Sequence, residues 1–198
     1  MGLKIDYIEG QTPLDEDEKE GLLVPQISTR GELDEFEQLG IEQSIIWLKN
    51  SRLSLEKMLT QDFVKDLHFH MFGNIWSWAC EFRRTNKNIG VDKYEIPIEL
   101  KILLDDNLYW VKNKTFSEIE IAIRASYRMV AIHPFANGNG RHSRLFADAL
   151  MSNGFGLPYF TWGRGNLSKS GESRTVYLSA LRSADNQDFR PLIQFGQS

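Results

Sequence analysis

Twelve consecutive residues carry most of the chemistry in this chain: His133-Pro134-Phe135-Ala136-Asn137-Gly138-Asn139-Gly140-Arg141-His142-Ser143-Arg144. His133 offers an imidazole that can take a proton from an attacking hydroxyl near neutral pH. Gly138 and Gly140 permit positive φ and leave no side chain between backbone and ligand. If the loop opens a helix, the first N–H groups lack intrahelical partners and the dipole adds partial positive charge, which together make an anion site. Arg141 and Arg144, three apart, share one helical face, and their planar forks suit phosphate oxygens. A polyphosphate held beside a general base describes phosphoryl or nucleotidyl transfer. Singly the pieces say less, since a Gly-Asn-Gly is usually a turn and a histidine before proline is usually structural. Two arginines in a first helical turn oppose the dipole, however, and a purely structural account leaves them unexplained.

The flanking segments supply the helices that such a loop needs. Ile119, Ile121, Ile123, Ala125, Met129, Val130 and Ile132 leave little polar surface, so 117–132 is expected to be a central buried helix that holds His133 rigidly. Leu145 to Leu150 continues as the helix after the loop. Upstream, residues 1–28 read as an irregular extension containing Pro13 and Pro25. Thr29-x-x-Glu32 resembles a capping box that opens a helix over 29–50. Phe63, Leu67, Met71 and Ile75 keep a helix-face spacing within a second helix expected over 55–78. The stretch 83–97 has turn formers and no helical period, and reads as a β-hairpin flap whose edge, around Lys93, Tyr94, Glu95 and Ile96, pairs with a partner's peptide. An ordinary surface hairpin is the plainer alternative. Helices are also expected over 98–112 and 172–184, with a stop at Asn153-Gly154-Phe155-Gly156. The fold class is therefore all-α with a short β-hairpin flap, and residues 29–198 form one domain after the 1–28 extension.

At 198 residues and 41% hydrophobic content the chain can bury a full core. A net charge of −4 argues against a general nucleic-acid binder. One cysteine, Cys80, excludes an internal disulfide and reads as a small apolar residue beside Trp78 and Phe82. No apolar run approaches a membrane span, and the start of the chain turns acidic at Asp15-Glu16-Asp17-Glu18 rather than resembling a signal peptide. No membrane partner and a cytoplasmic location are expected.

The loop resembles the signature of Fic-domain (Fic/DOC) proteins, His-x-Phe-x-(Asp/Glu)-Gly-Asn-Gly-Arg-x-x-Arg, and the likeness runs from about Thr29 to Phe195, in particular to the bacterial mobile mystery protein B branch. The resemblance implies a mainly helical fold and a protein adenylyltransferase moving AMP from ATP, with Mg²⁺, to a Ser, Thr or Tyr hydroxyl of a target protein. By that similarity His133 is the general base and Phe135 anchors the loop. Gly138, Asn139 and Gly140 form the anion hole, Arg141 and Arg144 contact the phosphates, Tyr177 flanks the base or simply fills the core, and the flap aligns the target. One position departs: Asn137 stands where the metal-holding Asp or Glu is usual, and a neutral amide is a weaker ligand for a hard cation, leaving Mg²⁺ to the phosphates. That leaves open a different nucleotide or phosphodiester donor, or a nearly silent nucleotide- or protein-binding module. Ser28-Thr29-Arg30-Gly31-Glu32-Leu33 resembles the family's inhibitory (Ser/Thr)-x-x-x-Glu-(Gly/Asn) motif except at Leu33, so Ser28 and Glu32 are candidates for self-inhibition against Arg144; a plain helix cap is the competing role. An antitoxin-like partner or a homo-oligomer is compatible with the family.

Overall fold

A computed structural model describes residues 12–164, 167 and 171–198. The described chain is helical: α1 (Glu16–Lys19), α2 (Arg30–Asn50), α3 (Leu55–Met58), α4 (Gln61–Phe72), α5 (Ile96–Asn113), α6 (Glu118–Ile132), α7 (Asn139–Ala149), α8 (Glu172–Asp185) and α9 (Arg190–Gln197). A π-turn, Leu150–Gly154, continues α7.

The central element is α6, packed between α5 and α7, while α2 lies on α4 and α8 pairs with α9. Ser117 caps α6 by accepting from Glu120 N–H at 3.3 Å. Its buried side carries Ile121, Ala122, Ile123, Ala125, Met129 and Ile132. Fully burying an apolar side chain of this size contributes about 1.5–3 kcal/mol, so α6 owes its place to packing. The expected box opens α2: Thr29 Oγ1 accepts from Glu32 N–H at 3.3 Å and Thr29 N–H donates to Glu32 Oε2 at 3.0 Å.

Two expected elements differ. The helix foreseen over 55–78 is broken twice. Thr60 leaves the helix and caps a new one by accepting from Phe63 N–H at 3.2 Å, and α4 stops at Phe72. The chain then turns so that Trp76 is buried and Trp78 stacks on it, centroids 4.9 Å apart. At the end of this turn Cys80 is half-buried in the left-handed region, φ 71°.

The second correction concerns the flap. Among the described residues 83–97 form no paired strands, and α5 already begins at Ile96. The buried Arg83 side chain replaces a ladder: Nε donates to His133 O at 2.7 Å, Nη1 to Thr85 O at 2.9 Å, and Nη2 to Val91 O. Asn86 and Asp92 side chains cap the Lys93 and Tyr94 N–H groups at 2.8 and 2.9 Å. Side chains thus satisfy backbone groups that strand pairing would otherwise claim.

The described part of the N-terminal extension packs on the core rather than trailing from it. Leu14 and Ile27 are buried, Leu22 forms an antiparallel bridge with Trp76, and Trp78 Nε1 donates to Glu18 O at 2.8 Å.

Candidate active site

The loop between α6 and α7 is held from beneath. Phe135 is fully buried, and its ring stacks on His68 at 3.8 Å. His68 Nδ1 accepts from Cys80 N–H at 3.2 Å, so Nε2 carries the proton and donates to Asn137 O at 3.1 Å. Asn139 closes the loop on itself: Oδ1 accepts from Phe135 N–H at 2.9 Å and Nδ2 donates to Phe135 O at 2.7 Å. The Asn139 side chain is therefore a brace, and only its backbone N–H belongs to the cradle. Gly138 adopts φ 80°, and a Cβ there would lie 2.5 Å from the Phe72 ring, so both conformation and space require glycine. The first intrahelical bond of α7 runs from His142 N–H to Gly138 O at 2.9 Å. The N–H groups of Asn139, Gly140 and Arg141 precede it and carry the helix's partial positive charge. A Cβ on Gly140 would meet only Arg144 Nη1, at 3.7 Å, leaving this approach open.

His133 ends α6 in the left-handed region, φ 55° and ψ 60°, which aims its imidazole across the loop. Gly90 crowds it from the far side, since a Cβ there would stand 2.7 Å from His133 Cβ. His133 is 6% exposed, and Nε2 lies 3.1 Å from Thr12 Oγ1. Burial, with help from the Arg83 guanidinium, pushes the imidazole pKa down to about 4. The ring is neutral at pH 7, the form a base needs.

Both loop arginines reach the cradle, in different company. Arg141 Nη1 pairs with Glu37 Oε2 at 2.7 Å and its guanidinium lies 5.1 Å from the centroid of Phe72. Arg144 lies 5.3 Å from the Tyr177 centroid, and among the described residues no carboxylate pairs with it. Tyr177 is buried on α8 with its ring centroid 5.5 Å from that of Phe195, so it both fills the core and lines the site. A cavity of about 260 Å³ is shared by Thr12, His133, the Asn137–Arg141 loop, Arg144 and Tyr177.

Glu37 is a site residue that sequence reasoning missed. It is fully buried on α2, where it accepts from Trp76 Nε1 at 3.0 Å and from Asn137 Nδ2 at 3.3 Å besides holding Arg141. In the sequence it is one acid among several in an acidic helix, and only the arrival of Arg141 from far along the chain singles it out. Glu32, the expected inhibitory carboxylate, is exposed and bonds its own helix start: Oε2 accepts from Ser28 N–H at 2.9 Å and Ser28 Oγ at 3.2 Å. The structure does not bring it to Arg144. Of the expected docking residues, Tyr94 and Glu95 are exposed and Lys93 is half-buried, whereas Ile96 is fully buried at the start of α5.

Asn137 fits a protein-held Mg²⁺ poorly. Its Oδ1 already accepts from Gly138 N–H at 2.7 Å, and its amide nitrogen faces Glu37. Among the described residues no cluster of three metal-ligating side chains occurs. A cation arriving with a nucleotide would be held by the phosphates.

Comparison with known proteins places this geometry. Residues 58–151 match the model of the Fic/DOC family. The chain is similar to "Protein adenylyltransferase Fic" of Aedes aegypti, 27% identical over 168 residues, covering 82% of this chain and 32% of the relative. It is also similar to "Protein adenylyltransferase fic-1" of Caenorhabditis elegans, 28% identical over 180 residues, covering 88% of this chain and 33% of the relative. The chain thus spans about a third of the length of these curated relatives. The solved structure of C. elegans Fic-1 superposes with a TM-score of 0.67 at 26% identity, over 89% of this chain and 50% of that one. An ADP-bound N-terminal Fic domain of a putative cell filamentation protein from Bartonella quintana shares the fold, with a TM-score of 0.58 at 17% identity over 86% of each chain. The braced glycine loop, the imidazole beside it and these likenesses converge on one assignment: residues 58–151 are a Fic/DOC family domain.

Proposed function

We propose that this chain is a protein adenylyltransferase, moving AMP from ATP to a Ser, Thr or Tyr hydroxyl of a target protein. One observation carries the reading: a neutral imidazole, the first N–H groups of α7 and two guanidinium groups face a single cavity. His133 takes the proton of the incoming hydroxyl, the cradle and Arg141 hold the phosphates, and Arg144 neutralises charge that develops on the leaving group. The curated relatives' names support the same reaction, and a neighbour of the same fold from Bartonella quintana is described with bound ADP. Mg²⁺ belongs to the proposal as the counter-ion of ATP.

The exposed Tyr94 and Glu95, with half-buried Lys93 beside them, are the part of the 83–97 loop that a target would meet. Self-inhibition belongs to the proposal too, with Glu37, held by Arg141, rather than Glu32 as the carboxylate at the loop. Membership of the bacterial mobile mystery protein B branch, a cytoplasmic location, and an antitoxin-like partner or homo-oligomer rest on the sequence resemblance; no described helix is long and apolar enough to cross a membrane. A second reading, transfer from another nucleotide or phosphodiester donor, is favoured by the occupied neutral amide of Asn137.

Incubating the purified protein with α-phosphate-labelled ATP, Mg²⁺ and a cell lysate tests both. Incorporation that falls by about a hundredfold or more in His133→Ala supports adenylylation. Transfer only from a different labelled donor supports the second reading, and binding without transfer from any donor refutes both.

A further inference from the structure

The hydroxyl nearest the imidazole belongs to the chain itself. Thr12 Oγ1 stands 3.1 Å from His133 Nε2, within the reach a general base needs, and both atoms are buried. Thr12 also lines the cavity that the phosphate cradle faces.

This placement is built, not incidental. Immediately after Thr12 the segment is clamped to the 83–95 loop through Lys87, whose side chain is 3% exposed. Lys87 Nζ donates to Pro13 O at 3.3 Å, Asp15 Oδ2 at 2.9 Å and Glu18 Oε2 at 2.6 Å. Thr85 Oγ1 adds a bond to Asp15 Oδ2 at 2.7 Å, and Trp78 Nε1 holds the Glu18 carbonyl. Leu14 is buried in the core cluster. The N-terminal segment therefore lies along the loop expected to align a target and presents a hydroxyl where a target's hydroxyl must sit.

We propose that Thr12 is an acceptor in cis: the chain transfers a nucleoside monophosphate to its own Thr12, and Thr12 excludes foreign hydroxyls while it occupies the site. The proposal rests on the transferase reading above. In the step, Thr12 Oγ1 bonds to the α-phosphorus of a nucleoside triphosphate, the bond from that phosphorus to the β-bridging oxygen breaks, pyrophosphate leaves, and the hydroxyl proton passes to His133 Nε2.

The full chain, incubated with α-phosphate-labelled ATP and Mg²⁺ and mapped by peptide mass analysis, tests this. The expected result is label on Thr12, at a rate per molecule independent of protein concentration. Label there should persist in Thr12→Ser, vanish in Thr12→Val, and vanish in His133→Ala, with helical circular dichroism unchanged in each. Undiminished total self-labelling in Thr12→Val, or a rate at Thr12 that rises with protein concentration, overturns the proposal. Label on lysate proteins with Thr12 untouched overturns it too while leaving the transferase reading standing. No label on the chain or on any lysate protein removes both.

Discussion

Asn137 and Glu37 explain each other. Their polar atoms are 3.3 Å apart in a half-buried setting, so a carboxylate at 137 would face a second carboxylate, and one of the two would have to stay protonated. Arg141 neutralises Glu37 alone. Restoring the family's acid as Asn137→Asp therefore carries a cost beyond any gain in metal affinity. The proton shared by the folded pair has a raised pKa, so the stability it allows is present at low pH and lost as pH rises through that value. Urea unfolding should show Asn137→Asp near wild type at about pH 4 and about 1–3 kcal/mol less stable at about pH 7. Equal stability at both pH values would show that the two groups are not coupled. His133 titrates the other way: its value is lowered to about 4, so its charge state would not limit the proposed transfer through the neutral range.

Among the elements, the end of α6 depends on a loop that is not an element at all. One Arg83 guanidinium donates to the carbonyls of His133, Thr85 and Val91, and the Arg83 backbone N–H donates to Pro134 O at 2.9 Å. The His133 backbone is left-handed and not glycine, so it needs such over-determination. Shortening the side chain in Arg83→Gln strands buried carbonyls, each costing about 1–3 kcal/mol when unpartnered. The expected variant is less stable by about 2–3 kcal/mol and slower in nucleotide transfer, because the base loses its aim. A denaturation midpoint and a labelling rate both matching wild type would refute this role.

Across the whole molecule, Asp148 couples α7 to the chain that follows it. One turn beyond Arg144, its carboxyl accepts from Phe160 N–H and from Trp162 Nε1, each at 3.1 Å. Burial nevertheless pushes its pKa up to about 7. From about pH 4 to 7 the folded chain keeps a proton on Asp148 that the unfolded chain releases, so this group's contribution to stability declines as pH rises through that window, against the opposite contribution of buried His133 and His142. Asp148→Asn keeps an oxygen for both donors and removes the decline. Thermal unfolding should find it close to wild type near pH 4 and more stable near pH 8, by up to roughly 4 kcal/mol. A difference between variant and wild type that stays constant between those values would contradict the assignment.

The one-dimensional chain determined the candidate loop, because its residues are local: histidine, glycine turn and arginines stand within a dozen residues, and the helices on either side show in the apolar spacing. It also determined the Thr29 cap of α2, a bond between neighbours. What needed the tertiary structure was every partner supplied from elsewhere. Glu37 is distinguished from its acidic neighbours only by Arg141, Trp76 and Asn137 converging on it. Arg83 removes the hairpin that the turn formers implied, since a buried guanidinium can satisfy three carbonyls that no local pattern announces. Thr12 meets His133 across 121 positions of chain, and a hydroxyl's function is set by the group it faces, which only folding chooses.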